Sequence, residues 1–234
     1  MWRAAACLML ALPCMAEAAC RQALALGLDV SGSVDGTEYR LQLDGLAAAL
    51  LHPEVQDILL AMPQTPVRVA VFEWSGPASQ RLLAPWKALD NAEALQALAA
   101  TLTTTQRAKG DPSTAIGAAL STGHALLASQ PDCWKRTLDI SGDGKSNTGP
   151  HPRSVTAPPG IIVNGLVIGE DDSFNSARSG ARENTVGELA AYYSAYVISG
   201  PEGFVETAVG FADYERAMVR KLKRELQSLA MSRR

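Results

Sequence analysis

Short apolar runs alternate with helical segments along this chain, and that alternation limits the possible folds more than any other feature. Apolar runs that predict buried strands lie at 23–28, 67–74, 136–141, 161–168 and 204–208. Residues 80–83 predict one more short strand, in a hairpin with 67–74. Segments with helical spacing lie at 34–51, 92–102, 114–128, 187–196 and 211–231. Strands that alternate with helices form βαβ units, so we expect an α/β fold with a mainly parallel sheet.

The size and composition of the chain are those of one ordinary globular domain. Its 234 residues are enough for one sizeable core but too few for two comfortable domains. A net charge of −3 gives no electrostatic reason to expect binding to nucleic acid. Beyond the first residues we see no run long and apolar enough for a membrane helix. We also expect the protein to be a monomer.

The first 19 residues have the pattern of a secretory signal peptide. Arg3 supplies the positive charge, residues 4–15 are mostly apolar, and 16–18 form a small-x-small cleavage site. We therefore predict a signal at 1–19, one domain at 20–234, and export to the periplasm or beyond. Lipid anchoring at Cys20 is a weaker alternative, because Glu17 stands where a lipoprotein signal would have an aliphatic residue.

Two cysteines, Cys20 and Cys133, remain after removal of the signal, in a compartment where disulfides persist. They lie at similar distances before Asp29 and Asp143. If those two carboxylates end neighbouring parallel strands, the cysteines lie at similar depth near the opposite edge, within bridging distance. We expect a disulfide; two independent buried thiols are the alternative.

Asp29-Val30-Ser31-Gly32-Ser33 places one carboxylate and two hydroxyls directly after the first apolar strand. Ligands of open α/β sheets bind at that edge, and oxygen donors alone suit a hard cation such as Mg²⁺, Mn²⁺ or Ca²⁺. Taken alone, the pentapeptide is equally typical of a helix cap.

Two further loops carry oxygen donors towards the same edge. Thr114 lies at the start of a predicted helix, where Ser113 or Thr114 could simply be an N-cap. Asp143 lies between two glycines at a strand end, where a plain turn is the ordinary interpretation. Three such loops on one sheet edge favour a metal site formed by Asp29, Ser31, Ser33, Thr114 and Asp143.

These residues resemble the metal-ion-dependent adhesion site (MIDAS) of von Willebrand factor type A (VWA) domains. Flanking segments agree, since 69–75 resembles the second strand of those domains and Thr114 with Leu120 resembles their threonine-loop helix. Over roughly 21–230 the chain is more closely similar to an uncharacterised family of secreted bacterial VWA-like proteins. The segments that carry this likeness include 29–34, 38–42, 73–76, 141–144, 164–166 and 192–193.

The resemblance implies a doubly wound, six-stranded sheet with one antiparallel edge strand. It also implies that Ser31, Ser33 and Thr114 contact a divalent cation, Mg²⁺ first among the candidates, while Asp29 and Asp143 act mainly through water. An open coordination position would accept an Asp or Glu of a protein partner. The proline-rich segment 147–160 departs from the usual pattern, because it leaves little room for a helix before the fifth strand.

Other functions are less well supported by the residues. A secreted metal-dependent hydrolase of phosphate or sulfate esters is the main alternative, and a purely structural metal is a third. No catalytic base is convincingly placed: His124 shares a helix face with apolar residues, so we expect it to be packed. Glu73 could support the metal edge or form a salt bridge. We expect the basic residues of the closing helix to be solvated, namely Arg216, Arg220, Lys221, Lys223 and Arg224.

Overall fold

The computed structural model describes residues 20–171 and 185–231, with side chains described as far as Gln227. The predicted signal peptide at 1–19 lies outside the described residues. The chain forms a six-stranded sheet in the order β3-β2-β1-β4-β5-β6. Its strands are β1 (Cys20–Asp29), β2 (Val67–Trp74), β3 (Gln80–Leu89), β4 (Cys133–Gly142), β5 (Ile161–Gly169) and β6 (Val205–Val209). Only the β2–β3 pair is antiparallel among these strands, which confirms the predicted mixed sheet.

Helices cover both faces of this sheet. They are α1 (Gly36–Leu51), α2 (Pro53–Leu60), α3 (Ala92–Thr104), α4 (Ile116–Ala128), α5 (Val186–Tyr196) and α6 (Tyr214–Met231). One apolar core lies between the sheet and α1, α2, α3 and α6, and a second lies between the sheet and α4 and α5. Every helix in the described part of the chain is too short or too polar to span a membrane.

The alternation of side chains along β1 decides which face receives the candidate site. Leu24, Leu26 and Leu28 lie in the first core, whereas Ala23 and Ala25 lie in the second. Because successive side chains of a strand point to opposite faces, Asp29 belongs to the face covered by α4 and α5. Asp29 is therefore the last residue of a buried strand, at the carboxyl end of the sheet where the β1–α1 loop begins.

Two elements differ from the sequence prediction. β3 extends to Leu89 rather than ending near Leu83, with a register shift opposite Val69 and Val71. Pro85 interrupts the alternating pattern, but an edge strand tolerates a proline at a bulge. The helix α2 was not predicted at all; it starts at Pro53, where proline at the first helical position costs little.

The segment after Asp143 has no α-helix before β5, as predicted from its prolines. Within 144–160 the structure forms only a single 3₁₀ turn, Pro152–Ser154. His124 is buried in α4 with 7% of its surface exposed, which confirms the expected packing. The prediction of a fully solvated basic face on α6 is wrong at Lys221, which is completely buried.

The predicted disulfide between Cys20 and Cys133 is present and joins β1 to β4. The two residues lie directly opposite each other in the parallel register, with their Cα atoms 4.3 Å apart. The bridge therefore links the first residues of β1 and β4, at the end of the sheet opposite the candidate site. The alternative of two separate thiols is wrong.

Candidate metal centre

Asp29, the last residue of β1, is fully buried beneath the β1–α1 loop. Its Oδ1 accepts a hydrogen bond of 2.8 Å from the backbone N–H of Ser31, which turns the chain sharply after the strand. The amide of Gln42 in α1 donates 2.9 Å to the carbonyl oxygen of Asp29. Asp35 then caps α1 through a capping box, so the loop between strand and helix is short and firmly held.

Hydrogen bonds between side chains join this loop to the loop after β4. Ser33 Oγ donates 2.7 Å to Oδ1 of Asp143, and the Oγ atoms of Ser31 and Ser33 lie 3.3 Å apart. Parallel pairing of β1 and β4 brings their carboxyl ends together, which is why residues so distant in sequence meet here. Four of the five predicted site residues thus form one continuous cluster.

Thr114, the fifth residue, approaches the same cluster from the loop before α4. Its Oγ1 lies 3.8 Å from the point where a Cβ atom on Gly144 would sit, beside Asp143. Asn147 holds the backbone of Thr114 through two hydrogen bonds of 2.9 Å. The N-cap of α4 is Ala115, with no side-chain cap bond, so neither Ser113 nor Thr114 is the cap that the sequence allowed.

Burial and like charge both act against the ionised form of Asp29. Burial raises the pKa of this carboxyl to about 8, the negative charge of Asp143 adds to the rise, and polar contacts with Ser31 and with the backbone of Asp143 lower it. Oδ2 of Asp29 is buried and accepts no hydrogen bond. A divalent cation between the two carboxylates would offset both the burial and the repulsion.

Arg107 supports the β1–α1 loop from outside and was missed by the sequence analysis. Its Nη2 atom donates to the carbonyl oxygens of Val30 and Ser31, at 3.2 Å each. Its guanidinium also lies 5.8 Å from the ring centre of Tyr39. No local pattern points to Arg107, because it lies in an irregular segment and reaches the loop only through the fold.

Glu73 lies in β2 opposite Leu28, and it forms the salt bridge that was one of the two roles considered from the sequence. Its carboxylate accepts a hydrogen bond of 3.0 Å from Tyr39 Oη and pairs with Arg81 at 3.1 Å. Burial raises the pKa of Glu73, while Tyr39 and Arg81 lower it. Tyr39 thereby lies between Glu73 and Arg107, whose guanidinium holds the β1–α1 loop.

The donor set of this cluster fits a hard divalent cation. It combines two carboxylates with three hydroxyls, and an oxygen-only set of this kind suits Mg²⁺, Mn²⁺ or Ca²⁺. The buried Oδ2 of Asp29, which has no hydrogen-bond partner, is the kind of atom that a bound ion or its water would satisfy. Among residues 20–171 and 185–231, no group of three or more His, Cys, Asp or Glu side chains is arranged as a metal site.

The six-stranded sheet, its strand order and its flanking helices define a VWA-like α/β fold. The chain belongs to the family described as "Protein of unknown function (DUF1194)", which matches residues 19–230. No curated protein matches the sequence significantly.

Solved structures share the fold at low sequence identity. A von Willebrand factor type A protein from Catenulispora acidiphila is 14% identical, with a TM-score of 0.55 over 90% of this chain and 43% of that chain. The pilus adhesin SpaC from Lactobacillus rhamnosus GG is 15% identical, with a TM-score of 0.61 over 91% and 31%.

Proximal thread matrix protein 1 from the mussel byssus, in a form with a zinc-occupied MIDAS motif, is 18% identical. Its TM-score is 0.59 over 90% of this chain and 48% of that chain. The present chain therefore spans less than half the length of each of these three proteins.

Proposed function

We propose that this protein is an exported binding module that uses a divalent cation to engage an acidic group on a protein partner. The observation that carries the proposal is the cluster of Asp29, Ser31, Ser33 and Asp143, joined by hydrogen bonds across two strand ends. Thr114 lies in a third loop, with its Oγ1 3.8 Å from where a Cβ atom on Gly144, next to Asp143, would sit. The zinc-occupied MIDAS motif of the mussel protein, which has the same fold, supports a metal at this edge.

In this proposal the hydroxyls of Ser31, Ser33 and Thr114 would contact the cation directly. Asp143 and the fully buried Asp29 would act mainly through water. The bound cation supplies an electrophilic point that accepts a carboxylate oxygen. With no carboxylate in direct contact, the ion keeps enough positive charge to attract Asp or Glu of a partner. Mg²⁺ is the first candidate.

Export and a binding role have independent support. A disulfide joins Cys20 to Cys133, and disulfides persist in oxidising compartments outside the cytosol. The signal at 1–19 and a single domain at 20–234 are part of the proposal. Two of the similar solved structures are an adhesin and a matrix protein, which favours binding over catalysis.

The metal proposal is tested by calorimetric titration of the chelator-treated protein with Mg²⁺, Mn²⁺ and Ca²⁺. We expect saturable binding of one ion per chain and loss of that binding in Asp143→Ala. Asp44→Ala, which removes an exposed carboxylate of α1, is the matched control and should bind normally. Absence of uptake by the wild type, or equal uptake by Asp143→Ala, contradicts the proposal.

The partner proposal is tested by crosslinking the tagged protein in cell envelope extract, with Mg²⁺ and with chelator. We expect a crosslinked protein that depends on Mg²⁺, is absent with Asp143→Ala and is lost when one Asp or Glu of that protein is replaced. A crosslink that survives chelation, while chelation still lowers the melting temperature, indicates a structural metal instead. Metal-dependent release of nitrophenol from nitrophenyl phosphate or sulfate would contradict the non-enzymatic role.

A further inference from the structure

Tyr193 of α5 is a large, fully buried side chain whose hydroxyl has no hydrogen-bond partner. Tyrosine hydroxyls in protein interiors are normally hydrogen-bonded, so this unpaired group needs an explanation. It belongs to the second core, on the same face of the sheet as Asp29. A phenylalanine would fill the same interior space, so packing alone does not explain the hydroxyl.

Tyr193 Oη and Asp29 Oδ2 converge on Gly142. A Cβ atom placed on Gly142 would lie 2.5 Å from Tyr193 Oη and 3.0 Å from Asp29 Oδ2. Both oxygens are buried and lack hydrogen bonds. One is a donor and the other an acceptor, and only the missing side chain of a glycine leaves the space between them.

A second glycine, on the neighbouring strand, clears the path for the ring of Tyr193. A Cβ atom on Gly165 of β5 would lie 2.8 Å from Tyr193 Cδ1, closer than carbon atoms can approach. The ring therefore crosses β5 at Gly165, and the hydroxyl arrives at Gly142 in β4. Two glycines in paired strands let one aromatic side chain reach from α5 to the end of β1.

We propose that Tyr193 is a positioning residue for the metal centre, whose hydroxyl donates a hydrogen bond to Oδ2 of Asp29 once a cation is bound. This inference rests on the proposed metal-binding function. Oδ1 of Asp29 is already fixed by the backbone of Ser31, so a donor at Oδ2 fixes the second oxygen and the plane of the carboxylate. Groups that orient a metal-binding side chain in this way contribute substantially to metal affinity.

The pKa of the Tyr193 hydroxyl agrees with its role as a hydrogen-bond donor. Burial raises the pKa of the Tyr193 hydroxyl well above its ordinary value, and the negative charges of Asp29 and Asp143 raise it further. The hydroxyl consequently keeps its proton and faces a carboxylate.

The test compares Tyr193→Phe with the wild type by Mg²⁺ calorimetry and by melting temperature with and without Mg²⁺. Phenylalanine keeps the ring over Gly165 and removes only the hydroxyl. We expect Mg²⁺ affinity to fall about tenfold or more, the range seen when such supporting groups are removed. The melting temperature of the metal-free protein should stay equal or rise, because a buried hydroxyl without a partner is removed.

Tyr214→Phe is the matched control. Tyr214 is also fully buried, but it lies in α6 on the other face of the sheet, with its hydroxyl 3.4 Å from Ser141 Oγ. It should keep the Mg²⁺ affinity of the wild type. Equal losses in both variants indicate general loosening and overturn the inference, as does unchanged affinity in Tyr193→Phe.

Gly142→Ala provides a second, independent variant. The added methyl group would push against Tyr193 Oη and Asp29 Oδ2, so we expect weaker Mg²⁺ binding. In the Tyr193→Phe background the further loss should be smaller, because the closest contact is gone; strictly additive losses contradict the coupling.

If the wild type itself takes up no Mg²⁺, Mn²⁺ or Ca²⁺, the proposed function fails as well. Failure of the Tyr193 variants alone leaves that function intact.

Discussion

Ser33 Oγ donates a hydrogen bond of 2.7 Å to Oδ1 of Asp143, although 110 residues separate them in the chain. The bond ties the loop after β1 to the loop after β4, across the two central strands of the sheet. It keeps a hydroxyl and a carboxylate together at the distance of neighbouring ligands. The candidate site is therefore largely assembled by the fold, which reduces the ordering that an incoming cation must impose.

Replacing Ser33 by alanine should weaken Mg²⁺ binding by roughly tenfold or more, because one hydroxyl donor and the hydrogen bond to Asp143 are both lost. The measurement is calorimetric titration, together with the rise in melting temperature on adding Mg²⁺. Ser113→Ala is the control, since Ser113 lies next to Thr114 but donates to Asp111 instead. Unchanged affinity in Ser33→Ala, or an equal loss in Ser113→Ala, contradicts the assignment.

Much of this site could be predicted because its residues lie where strands end. An apolar run followed by Asp29, Ser31 and Ser33 is visible in a single stretch of sequence, and parallel topology brings Asp143 to the same edge. The disulfide followed from the same register. In each case one local pattern and one rule of sheet topology were sufficient.

The groups that support the site could not be predicted in this way. The Tyr193 hydroxyl reaches Gly142, beside Oδ2 of Asp29, only because glycines in two strands leave room, and no spacing within α5 shows this. Lys221 has the helical position of a surface residue, yet it pairs with Asp139 in the interface between α6 and the sheet. Pro85 indicates the end of a strand in the sequence, although the edge strand β3 continues through it to Leu89. Such features depend on contacts between elements distant in sequence.

Loss of the bridge between Cys20 and Cys133 should strongly destabilise the protein. The bridge closes a segment with a sequence separation of 113. In the chain-entropy model a loop of this length contributes about 4 to 5 kcal/mol. We expect the urea midpoint to fall on adding reductant. The double variant Cys20→Ala/Cys133→Ala should show the lower midpoint without reductant, and should not respond to it.

An equal urea midpoint with and without reductant in the wild type would show that the bridge adds little to stability. Mass spectrometry of the exported, unreduced protein provides an independent measurement. It should show the peptides of Cys20 and Cys133 linked, and free thiols at both positions contradict the structure.

His124 should make the protein less stable in mild acid. Burial lowers the pKa of this imidazole below its ordinary value of 6.5, and its Nε2 has no hydrogen-bond partner. The unfolded chain therefore takes up a proton at a higher pH than the folded protein does. The free energy of unfolding that this group contributes is complete above about pH 6.5 and declines as the pH falls, by at most about 1.4 kcal/mol per pH unit.

The measurement is urea unfolding of the wild type and His124→Gln at several pH values from about 7.5 to about 5. This interval covers the pH range over which an ordinary imidazole titrates. The difference in free energy of unfolding between the two proteins should shift in favour of the variant as the pH falls. Comparison with the variant cancels the carboxyls whose pKa values are raised, such as Asp29 and Glu73. A difference that stays constant with pH contradicts the prediction.

Lys221 holds a buried charge cluster between α6 and the sheet, and its loss should be costly. Its Nζ lies 2.5 Å from both Asp139 Oδ1 and Glu225 Oε1, and Asn164 donates 2.6 Å to the same oxygen of Glu225. Burial alone would lower the pKa of Lys221, but the two carboxylates outweigh it and raise that pKa. Lys221→Met removes the buried cation that pairs with both acids, so we expect a loss of about 3 to 5 kcal/mol.

Arg216→Ala is the matched control within α6, because Arg216 pairs with Asp213 while 79% of its side chain is exposed. An exposed pair contributes less than about 1 kcal/mol, so this variant should unfold close to the wild-type urea midpoint. Replacing the whole cluster, with Lys221→Met, Asp139→Leu and Glu225→Met together, should recover part of the stability lost by Lys221→Met. Buried ion groups are costly to break but not to replace by apolar side chains. If the triple variant is less stable than Lys221→Met alone, the two acids stabilise the fold through contacts other than the lysine.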